Sequence, residues 1–254
     1  MDIVVARGLS KVYPNGQGLH GVSFSIKEGE LVGILGPSGA GKSTLMRLLC
    51  GAIFPSEGTL TILGEEVGNM KRSQLQSLRS KIATVYQNFN VIPSLDVARN
   101  VLMGRAGKIS YPSVLRGMFR LTLKEQGEIR EILSTLGIEE KIYERCQELS
   151  GGQQQRAAVA RAIYSGAELI LADEPVSSVD PATAGLILDL FRSLNERGNT
   201  VLLSLHQIDN ALKYCSRILA FDQGKLVYNG NPQDFIESEV CYKLTGTVPG
   251  GNKI

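Results

Sequence analysis

Residues Gly36 to Ser43 read GPSGAGKS and constrain the fold most, because they match the pattern GxxxxGK[ST] at every defined position. The run Leu31–Leu35 before them is apolar on both faces, as in a buried central strand, and Thr44–Leu49 after them has helical spacing. In such a strand–loop–helix, glycines let successive backbone N–H groups point at phosphate oxygens, and the helix N-terminus adds partial positive charge. The chain is therefore predicted to be an α/β protein with a phosphate-binding loop.

The side chains of this loop predict how phosphate is held. Lys42 is expected to neutralise phosphate charge, and the hydroxyl of Ser43 to bind Mg²⁺. A glycine-rich turn with a chance lysine is the alternative, but it does not explain the flanking strand and helix. The predicted nucleotide contacts in this region are Gly36, Pro37, Ser38, Gly39, Ala40, Gly41, Lys42, Ser43 and Thr44.

The composition is that of a soluble globular protein, with 20% charged and 43% hydrophobic residues among 254. No apolar run approaches the roughly 18–20 residues that cross a bilayer, and the first residues lack the pattern of a secretory signal. A net charge of +2 gives no global attraction to nucleic acid or anionic lipid. The four cysteines form no CxxC pair, which favours reduced thiols in a cytosolic protein over a structural zinc site.

Apolar runs and turn residues divide the chain into three regions. Short strands precede a middle region with weak strand signals, and strand–helix alternation then returns, which predicts a mostly parallel sheet with a helical insert at about 88–165. Within the insert, Gly104 to Leu121 is basic and rich in Gly, Ser and Pro, and is interpreted as a surface insertion. The other predicted elements are strands at 3–6, 22–26, 58–63, 82–86, 169–172 and 200–205, helices at 122–136 and 181–195, and a hairpin at 218–228.

Two acidic residues, Asp173 and Glu174, close the predicted strand Leu169–Ala172. The carboxyl ends of such strands are where α/β sheets bind ligands. Asp173 is expected to hold Mg²⁺ through water, and Glu174 to polarise the attacking water. Two solvated acids in a turn are the alternative, which is less favoured in a chain that also carries a phosphate loop.

A second helix start suited to phosphate lies in the run LSGGQ, from Leu149 to Gln153. Ser150 is a good N-cap, and two glycines leave the helix N-terminus open to an anion. One nucleotide cannot easily use both helix starts of one molecule if each belongs to its own lobe. Two copies facing head to tail would each lend this second site to the other's nucleotide. The residues concerned are Ser150, Gly151, Gly152 and Gln153.

From Leu9 to about Phe235 the chain resembles the nucleotide-binding subunit of an ATP-binding cassette (ABC) transporter, since LSGGQ before a strand ending in Asp-Glu is highly specific to that family. The resemblance implies ATP and Mg²⁺ as cofactors. It also implies a P-loop NTPase fold with a mostly parallel core sheet, an N-terminal antiparallel β-subdomain and an inserted helical subdomain. One nucleotide-binding domain is expected over 1–246, followed by a flexible tail at 247–254.

The same resemblance implies roles for further residues. Tyr13 matches the aromatic residue that stacks on adenine, and Gln87 the glutamine that contacts Mg²⁺ or water and couples to the membrane partner. The stretch 178–180 matches a loop that communicates across the dimer; valine replaces the usual leucine before Asp180, which is assigned to the nucleotide site. His206 matches the histidine that contacts the γ-phosphate. Without the resemblance, Tyr13 would be interpreted as an ordinary aromatic residue of a turn and Gln87 as a solvated polar residue. His206 would be interpreted as a histidine whose hydrogen bonds are made within the protein.

The resemblance thus assigns two sets of residues beside the nucleotide contacts. The implied catalytic residues are Lys42, Gln87, Glu174 and His206. The implied Mg²⁺ ligands are Ser43, Gln87 and Asp173.

Three stretches resemble the ATP-binding subunits of bacterial phosphonate importers, a group whose features phosphite and hypophosphite importers share: EPVSSVDP at 174–181, SLHQIDNALKYC at 204–215, and QNFNVI at 87–92 with NVLMGR at 100–105. The expected function is ATP-driven import of such reduced phosphorus compounds. Another cargo, such as a polar amino acid, a metal ion or an exported lipoprotein, is the main alternative. A soluble ABC protein acting on ribosomes or DNA usually has two cassettes or a long coiled-coil insertion, and a P-loop kinase or GTPase has no role for LSGGQ.

The implied partners are a second copy of the chain, integral-membrane permease subunits and, indirectly, a periplasmic substrate-binding protein, with no nucleic acid. The expected location is the cytoplasmic face of the bacterial inner membrane, as a peripheral subunit. Phe89, Val91 and Ile92 follow Gln87 and would be unusual if exposed. A groove that receives a short permease helix and local packing within the insert explain them about equally well.

Overall fold

The computed structural model describes residues 1–177 and 179–245, without the side chain of residue 245. Ser178 of the predicted dimer loop and the predicted tail at 247–254 lie outside the described residues. The strands are β1 (Asp2–Val12), β2 (Gly18–Lys27), β3 (Leu31–Leu35), β4 (Glu57–Ile62), β5 (Glu65–Glu66), β6 (Ile82–Val85), β7 (Leu169–Asp173), β8 (Thr200–Ser204), β9 (Arg217–Asp222) and β10 (Lys225–Gly230). The α-helices are α1 (Lys42–Leu49), α2 (Arg72–Ser80), α3 (Val97–Leu102), α4 (Tyr111–Phe119), α5 (Leu123–Thr135), α6 (Gly151–Tyr164), α7 (Pro181–Glu196), α8 (Ile208–Tyr214), α9 (Pro232–Ile236) and α10 (Glu239–Thr245).

The first strands build an antiparallel sheet. β1 pairs with β2 and with β4, and β4 pairs with β5, all antiparallel. Burial alternates along β2, where Val22, Phe24 and Ile26 are buried and the residues between them are more exposed, which is the period of a sheet with one face in the core. The predicted N-terminal antiparallel sheet is confirmed, and its first two strands extend beyond the short runs that predicted them.

The chain divides into two compact units, one formed by Met1–Lys71 with the part from Thr200 onward, the other by Arg72–Asn199. In the first unit, β3 pairs in parallel with β8 and β9, and β9 turns back into β10 as an antiparallel hairpin. All residues of β3 and β8 are buried. Central strands that are covered on both faces need such apolar runs.

In the second unit, β6 and β7 are parallel neighbours, and the helices α2 to α7 lie in the same stretch of chain. Side-chain caps begin four of these helices, and the sequence predicts two of the four. Asp96 caps α3 by accepting from the Arg99 N–H at 2.8 Å. Ser150 forms a capping box before α6, and Asp180 caps α7 with proline as the first helical residue. Thr122 forms a further capping box before α5, and Gly137 follows that helix with a φ of 63°.

The interpretation of Gly104 to Leu121 as a surface insertion leaves out the helix α4, which the structure forms there. Pro112 lies in its first turn, where the missing N–H has no helical partner in any case. Tyr111 and Phe119 are strongly exposed. The glycine, serine and proline of this stretch favour a loop and obscure a helix whose apolar residues point outward.

None of the helices within residues 1–177 and 179–245 is both long enough and apolar enough to cross a bilayer.

Candidate functional site

The loop between β3 and α1 requires glycine at two positions. Gly36 has a φ of 146°, and a Cβ built there would lie 2.3 Å from the carbonyl oxygen of Phe221. Gly41 has a φ of 101°, and its Cβ would lie 2.7 Å from Leu19 Cδ2. A side chain would clash at both positions. Only glycine therefore lets the backbone curl as a phosphate-binding loop must.

Lys42 is the first residue of α1 and is only 5% exposed. Its Nζ donates to the carbonyl oxygens of Gly36 at 2.6 Å and Pro37 at 3.2 Å. Among the described residues, no side chain caps the N-terminus of α1, and its first turn contains no acidic residue. The ammonium group and the N-terminal N–H groups therefore give the loop a positive potential that suits an anion.

The outer part of the loop is open to a ligand. Ser38, Gly39 and Ser43 are exposed, whereas Ala40 is buried. The backbone N–H of Ala40 donates to the carbonyl oxygen of Pro37 at 3.1 Å. Ala40 thus closes the turn that presents the exposed residues.

His206 leaves the sheet at the same edge as the phosphate loop, within the first unit. β3 and β8 run in parallel, with Ile34 opposite Ser204, and the backbone N–H of Leu205 donates to the carbonyl oxygen of Ile34 at 3.1 Å. His206 follows directly and is exposed. The carboxyl ends of two neighbouring parallel strands thus carry the loop and the histidine, which is where α/β sheets bind ligands.

Tyr13 lies at the end of β1, in the turn before β2. Its backbone N–H donates to the carbonyl oxygen of Gln17 at 2.9 Å, and its hydroxyl oxygen is buried without a hydrogen-bond partner among the described residues. The ring is therefore partly buried with its polar end inward. Stacking of Tyr13 on adenine stays a prediction.

Asp173 ends β7 in the second unit and is 9% exposed. Its Oδ1 is buried and has no hydrogen-bond partner among the described residues. A buried carboxylate oxygen without a donor is unfavourable unless a cation or water satisfies it. This environment suits the predicted role of Asp173 as a ligand of Mg²⁺.

Glu174 has an unusual backbone conformation, with a φ of 53° in the left-handed region. Ser177 holds the turn, because its backbone N–H and its Oγ donate to the Glu174 carbonyl oxygen at 3.2 Å and 3.0 Å. For a residue with a Cβ this conformation costs roughly 1–2 kcal/mol. The sequence motif predicts a carboxylate at residue 174, but it does not predict the strained backbone conformation of that residue.

Gln87 lies in the turn that follows β6, the parallel neighbour of β7, and is exposed. The same turn contains two residues with left-handed backbone, Phe89 with a φ of 58° and Asn90 with a φ of 49°. Arg161 of α6 holds this strained turn, because its Nη1 donates to the Asn90 carbonyl oxygen at 2.7 Å and its Nη2 to that of Phe89 at 3.2 Å. Burial lowers the pKa of the Arg161 guanidinium, which nevertheless stays charged at neutral pH.

The apolar residues after Gln87 differ in their environment. Phe89 is half-buried, and a Cβ built at Gly151 would lie 3.7 Å from its Cζ, so the ring packs beside the first turn of α6. Ile92 is 41% exposed. Local packing therefore accounts for Phe89 and does not account for Ile92.

The start of α6 has room that the described residues do not fill. Ser150 and Gln153 cap each other, because Ser150 Oγ accepts from the Gln153 N–H at 3.4 Å and Gln153 Oε1 accepts from the Ser150 N–H at 2.9 Å. A Cβ at Gly151 or Gly152 would meet its nearest atoms among the described residues at 3.7 Å and 3.5 Å, which are ordinary contacts. Neither glycine has a left-handed φ. Packing within the described chain thus does not demand these glycines.

Asp180 caps α7 by accepting from the N–H groups of Ala182 at 3.1 Å and Thr183 at 3.0 Å. A hydrogen bond from the Thr183 side chain, followed by those backbone donors, lowers the pKa of the Asp180 carboxyl. The carboxylate therefore supports the helix start. Its contact with a nucleotide stays a prediction.

Sequence reasoning missed Arg161 and Gln155, both on α6. Gln155 is 1% exposed, and its Nε2 donates to the carbonyl oxygen of Pro175 at 2.7 Å, which ties the helix to the turn after Glu174. Both are ordinary polar residues of a helix in the sequence. Only their tertiary neighbours reveal that they hold the two turns that carry Gln87 and Glu174.

The described part of the chain contains no cluster of three or more His, Cys, Asp or Glu side chains that could hold a metal ion. The predicted Mg²⁺ ligands, Ser43, Gln87 and Asp173, are instead hydroxyl, amide and carboxylate oxygens. Mg²⁺ prefers oxygen donors and commonly combines one or two protein ligands with water and substrate phosphates. The chemistry of these donors suits Mg²⁺, and their assignment stays a prediction.

A profile of the family described as ABC transporter matches residues 19–177, which include the phosphate loop, LSGGQ and the Asp-Glu pair. The chain belongs to the ABC transporter family. The resemblance found in the sequence is thereby confirmed.

Curated members of this family match the ABC chain over most of its length. The phosphonates import ATP-binding protein PhnC of Treponema denticola is 40% identical over 95% of this chain and 94% of its own. A second protein of that name, PhnC 2 of Oceanobacillus iheyensis, is 43% identical over 94% of this chain and 95% of its own.

Solved ABC cassettes have the same fold. The ATP-binding cassette MJ0796, in a dimeric post-hydrolysis state bound to ADP and Pi, superposes with a TM-score of 0.81 at 32% identity, covering 90% of this chain and 98% of its own. The cassette cbiO1 of Clostridium perfringens, part of the complex cbiONQ, has a TM-score of 0.77 at 27% identity over 98% and 96%. The predicted ABC cassette fold, an antiparallel N-terminal sheet with a mostly parallel core sheet, is confirmed.

Proposed function

We propose that this ABC cassette is the ATP-hydrolysing subunit of a bacterial importer of phosphonates or related reduced phosphorus compounds, such as phosphite and hypophosphite. The observation that carries the proposal is 40–43% identity, over at least 94% of each chain, to proteins named phosphonates import ATP-binding protein. Residues 1–246 form one nucleotide-binding domain with a helical subdomain at about 88–165. ATP is its substrate, and the cargo site belongs to other subunits.

ATP binding uses the phosphate loop of one copy. The ammonium group of Lys42 exchanges its two carbonyl acceptors for phosphate oxygens, and the N–H groups at the start of α1 add further donors. Tyr13 stacks on the adenine. Ser43, Gln87 and Asp173 would hold Mg²⁺, which would neutralise part of the phosphate charge.

A second copy of the chain completes the site. Ser150, Gly151, Gly152 and Gln153 of that copy face the γ-phosphate, and Asp180 lies at the same interface. The support is steric: packing among the described residues does not demand Gly151 and Gly152, and a glycine allows close approach of an outside group. The similar cassette MJ0796 is dimeric and bound to ADP and Pi, which agrees with a head-to-tail dimer here.

Hydrolysis follows from positioning and electrostatics, as is usual for phosphoryl transfer. Glu174 orients a water molecule for in-line attack on the γ-phosphorus and accepts its proton. A bond forms between the water oxygen and phosphorus while the bond from phosphorus to the bridging oxygen breaks, so ADP leaves with that oxygen. His206 donates a hydrogen bond to the γ-phosphate oxygens as charge develops on them.

The transport partners follow from the same assignment. Integral-membrane permease subunits bind near Gln87 and convert closing and opening of the dimer into alternating access. A periplasmic substrate-binding protein delivers the cargo and contacts the cassette only indirectly. The cassette is then a peripheral subunit on the cytoplasmic face of the inner membrane.

The substitution Glu174→Gln tests the hydrolytic role. It keeps the shape of the side chain and removes its basicity, so we expect ATP turnover to fall by about 100-fold or more while ATP binding persists. ATP should then trap a dimer that is visible by size-exclusion chromatography. Glu196→Gln, on the exposed end of α7, is the matched control and should leave turnover unchanged. Turnover at the parent rate in Glu174→Gln would show that the role is wrong.

The cargo is tested separately with the complete transporter. The cassette is purified with its permease subunits and binding protein, and ATP turnover is measured with methylphosphonate, phosphite, hypophosphite or a polar amino acid. Stimulation by one of the phosphorus compounds supports the proposal. Stimulation by the amino acid alone would overturn the cargo assignment and leave the ATPase assignment intact.

A further inference from the structure

The outward face of α4 is apolar, which reverses the pattern of an ordinary surface helix. Tyr111, Leu115 and Phe119 follow one another at intervals of four residues and are 78%, 50% and 79% exposed. Residues at this spacing share one face of a helix. We call these three residues the α4 stripe. A repeated set of exposed apolar side chains indicates an interaction surface, unlike hydrophobic residues scattered singly.

The opposite side of α4 is packed, so the stripe cannot turn inward. Gly117 is buried there, and a Cβ at this residue would lie 2.3 Å from Leu102 Cδ2. Arg99 fastens the end of the helix, because its Nε donates to the carbonyl oxygen of Met118 at 2.6 Å. Close packing through a glycine fixes the rotation of α4 about its axis and holds the α4 stripe outward.

Positive charge is segregated around the stripe. The chain from Val97 to Lys124 contains basic residues and no acidic residue, although the whole chain has a net charge of only +2. The basic residues are Arg99, Arg105, Lys108, Arg116, Arg120 and Lys124. Four of them pair with acidic residues just outside this stretch: Arg99 with Asp96, Arg105 with Glu128 at 2.8 Å, Arg116 with Glu125 at 2.7 Å and Lys124 with Glu128 at 3.9 Å. With these three acidic partners included, the stretch 96–128 still has six basic residues against three acidic ones. Arg120 and Lys124 directly follow the stripe and are exposed.

We propose that the α4 stripe rests in the headgroup region of an anionic bilayer. Tyrosine, phenylalanine and leucine on one face, with lysine and arginine beside them, are the combination found in helices that lie at a membrane interface. The basic residues attract lipid phosphates, and each contributes only within a short distance of the surface. The charge favours this occupant over the same face of a second copy, which would bring equal positive charge to the contact.

This inference rests on the proposed function, because it assumes that the cassette works beside a membrane. It goes further by assigning a lipid contact to the chain itself, independent of the permease. The contact would orient the helical part of the cassette toward the bilayer. ATP turnover does not depend on it, so the two proposals can fail separately.

The full chain contains no tryptophan, which makes Phe119→Trp a clean fluorescent probe. Added to vesicles of phosphatidylglycerol and phosphatidylcholine, this variant should show a blue shift in emission and should sediment with the vesicles. Pure phosphatidylcholine should give neither effect, and 0.5 M salt, roughly three times physiological ionic strength, should weaken both. Tyr242→Trp, at a site on α10 that is also exposed (55%), should show no shift.

Loss of the stripe supplies the second test. The stripe variant combines Tyr111→Ser, Leu115→Ser and Phe119→Ser, and it should bind vesicles at least tenfold more weakly than the parent. The control variant combines Val12→Ser, Val227→Ser and Tyr242→Ser, and it should bind vesicles as the parent does. ATP turnover should match the parent in both. Equal binding by parent and stripe variant, absence of any shift, or binding only to vesicles that contain the permease would overturn the proposal. The last result would assign the stripe to the permease.

Discussion

Glu174 has a strained backbone and, in the proposed reaction, orients the attacking water. Its left-handed φ of 53° is held by Ser177 and by the buried bond from Gln155 to the next residue's carbonyl oxygen. Glycine would adopt this conformation without strain. A strained residue that keeps its carboxylate is typical of sites where function opposes stability.

Replacing Glu174 with glycine should therefore raise stability and abolish activity together. The free energy of unfolding should increase by about 1 kcal/mol because the left-handed strain is removed, although the flexible glycine offsets part of the gain. ATP turnover should fall by about 100-fold or more. Urea unfolding and an ATPase assay measure the two effects.

The matched control lies at the β9–β10 turn, where Gln223 has a φ of 48°. Gln223→Gly relieves the same kind of strain without removing a predicted catalytic side chain. It should raise stability by a similar amount. Only stability is compared, because the next residue, Gly224, donates its N–H to the Ala40 carbonyl oxygen of the phosphate loop at 3.1 Å. A loss of stability in Glu174→Gly, beside a gain in Gln223→Gly, would contradict the strain at Glu174.

Arg161 supports the turn after Gln87 through two donated hydrogen bonds. Arg161→Leu should lower the free energy of unfolding by about 1–3 kcal/mol, since two carbonyl oxygens lose their charged donor. Hydrogen exchange should accelerate at 87–92 and stay unchanged in the phosphate loop. Arg161→Lys should recover little, because lysine lacks the planar fork.

A surface arginine provides the comparison for this variant. Arg192 on α7 is 50% exposed and lies 4.0 Å from Glu196. Arg192→Leu should leave exchange at 87–92 as in the parent. Unaltered exchange in Arg161→Leu as well would mean that Arg161 does not hold the turn.

At the scale of elements, an ion pair joins α4 to the start of α5. Arg116 hydrogen-bonds Glu125 with both Nη atoms, at 2.7 Å and 3.0 Å, and this contact is the main cause that lowers the pKa of the Glu125 carboxyl from 4.5 to about 2. Because the pKa of Glu125 is lower in the folded state than in the unfolded state, the ionised carboxylate stabilises the folded protein above about pH 4.5. That contribution is lost as the pH falls toward 2.

Glu125→Gln should therefore destabilise the protein at pH 7 and have a shrinking effect toward pH 3. Glutamine can keep the capping box with Thr122 through its Oε1, so the change removes mainly the charge that Arg116 and the Thr122 donors stabilise. Because the Arg116 side chain is 42% exposed, solvent screening keeps the loss small. Urea unfolding at several pH values measures it. Glu139→Gln, in a more exposed pair, is the control and should change the free energy of unfolding little. If the destabilisation by Glu125→Gln were the same at pH 7 and pH 3, the lowered pKa of Glu125 would be contradicted.

The sequence predicts those elements and residues whose signal is local. The runs that form β3, β7 and β8 are buried on both faces and stand out as apolar, and the phosphate loop carries its own pattern of glycines. The helix α4 is missed although Tyr111, Leu115 and Phe119 recur at helical spacing, because Pro112 and Gly117 among them favour a loop. The hydrogen bonds of Arg161 depend on carbonyl oxygens far away in the chain, which no local pattern can predict.

At the scale of the whole molecule, the account depends on two copies sharing each nucleotide. Lys42 belongs to one half of the proposed site, and Gly152 to the half supplied by the other copy. Gly152→Asp suits a test, because a Cβ there meets Val179 only at 3.5 Å and an acidic residue is favourable in the first turn of a helix. The fold should persist while the added carboxylate repels the γ-phosphate.

The deciding measurement mixes the variants Lys42→Ala and Gly152→Asp, each inactive alone, and follows ATP turnover. In a head-to-tail dimer the mixed pair contains one site with an intact loop and an intact LSGGQ corner. Random pairing should therefore restore turnover to at most about a quarter of the parent value. A mixture that stays as inactive as its components, although mixed dimers form, would contradict the shared site.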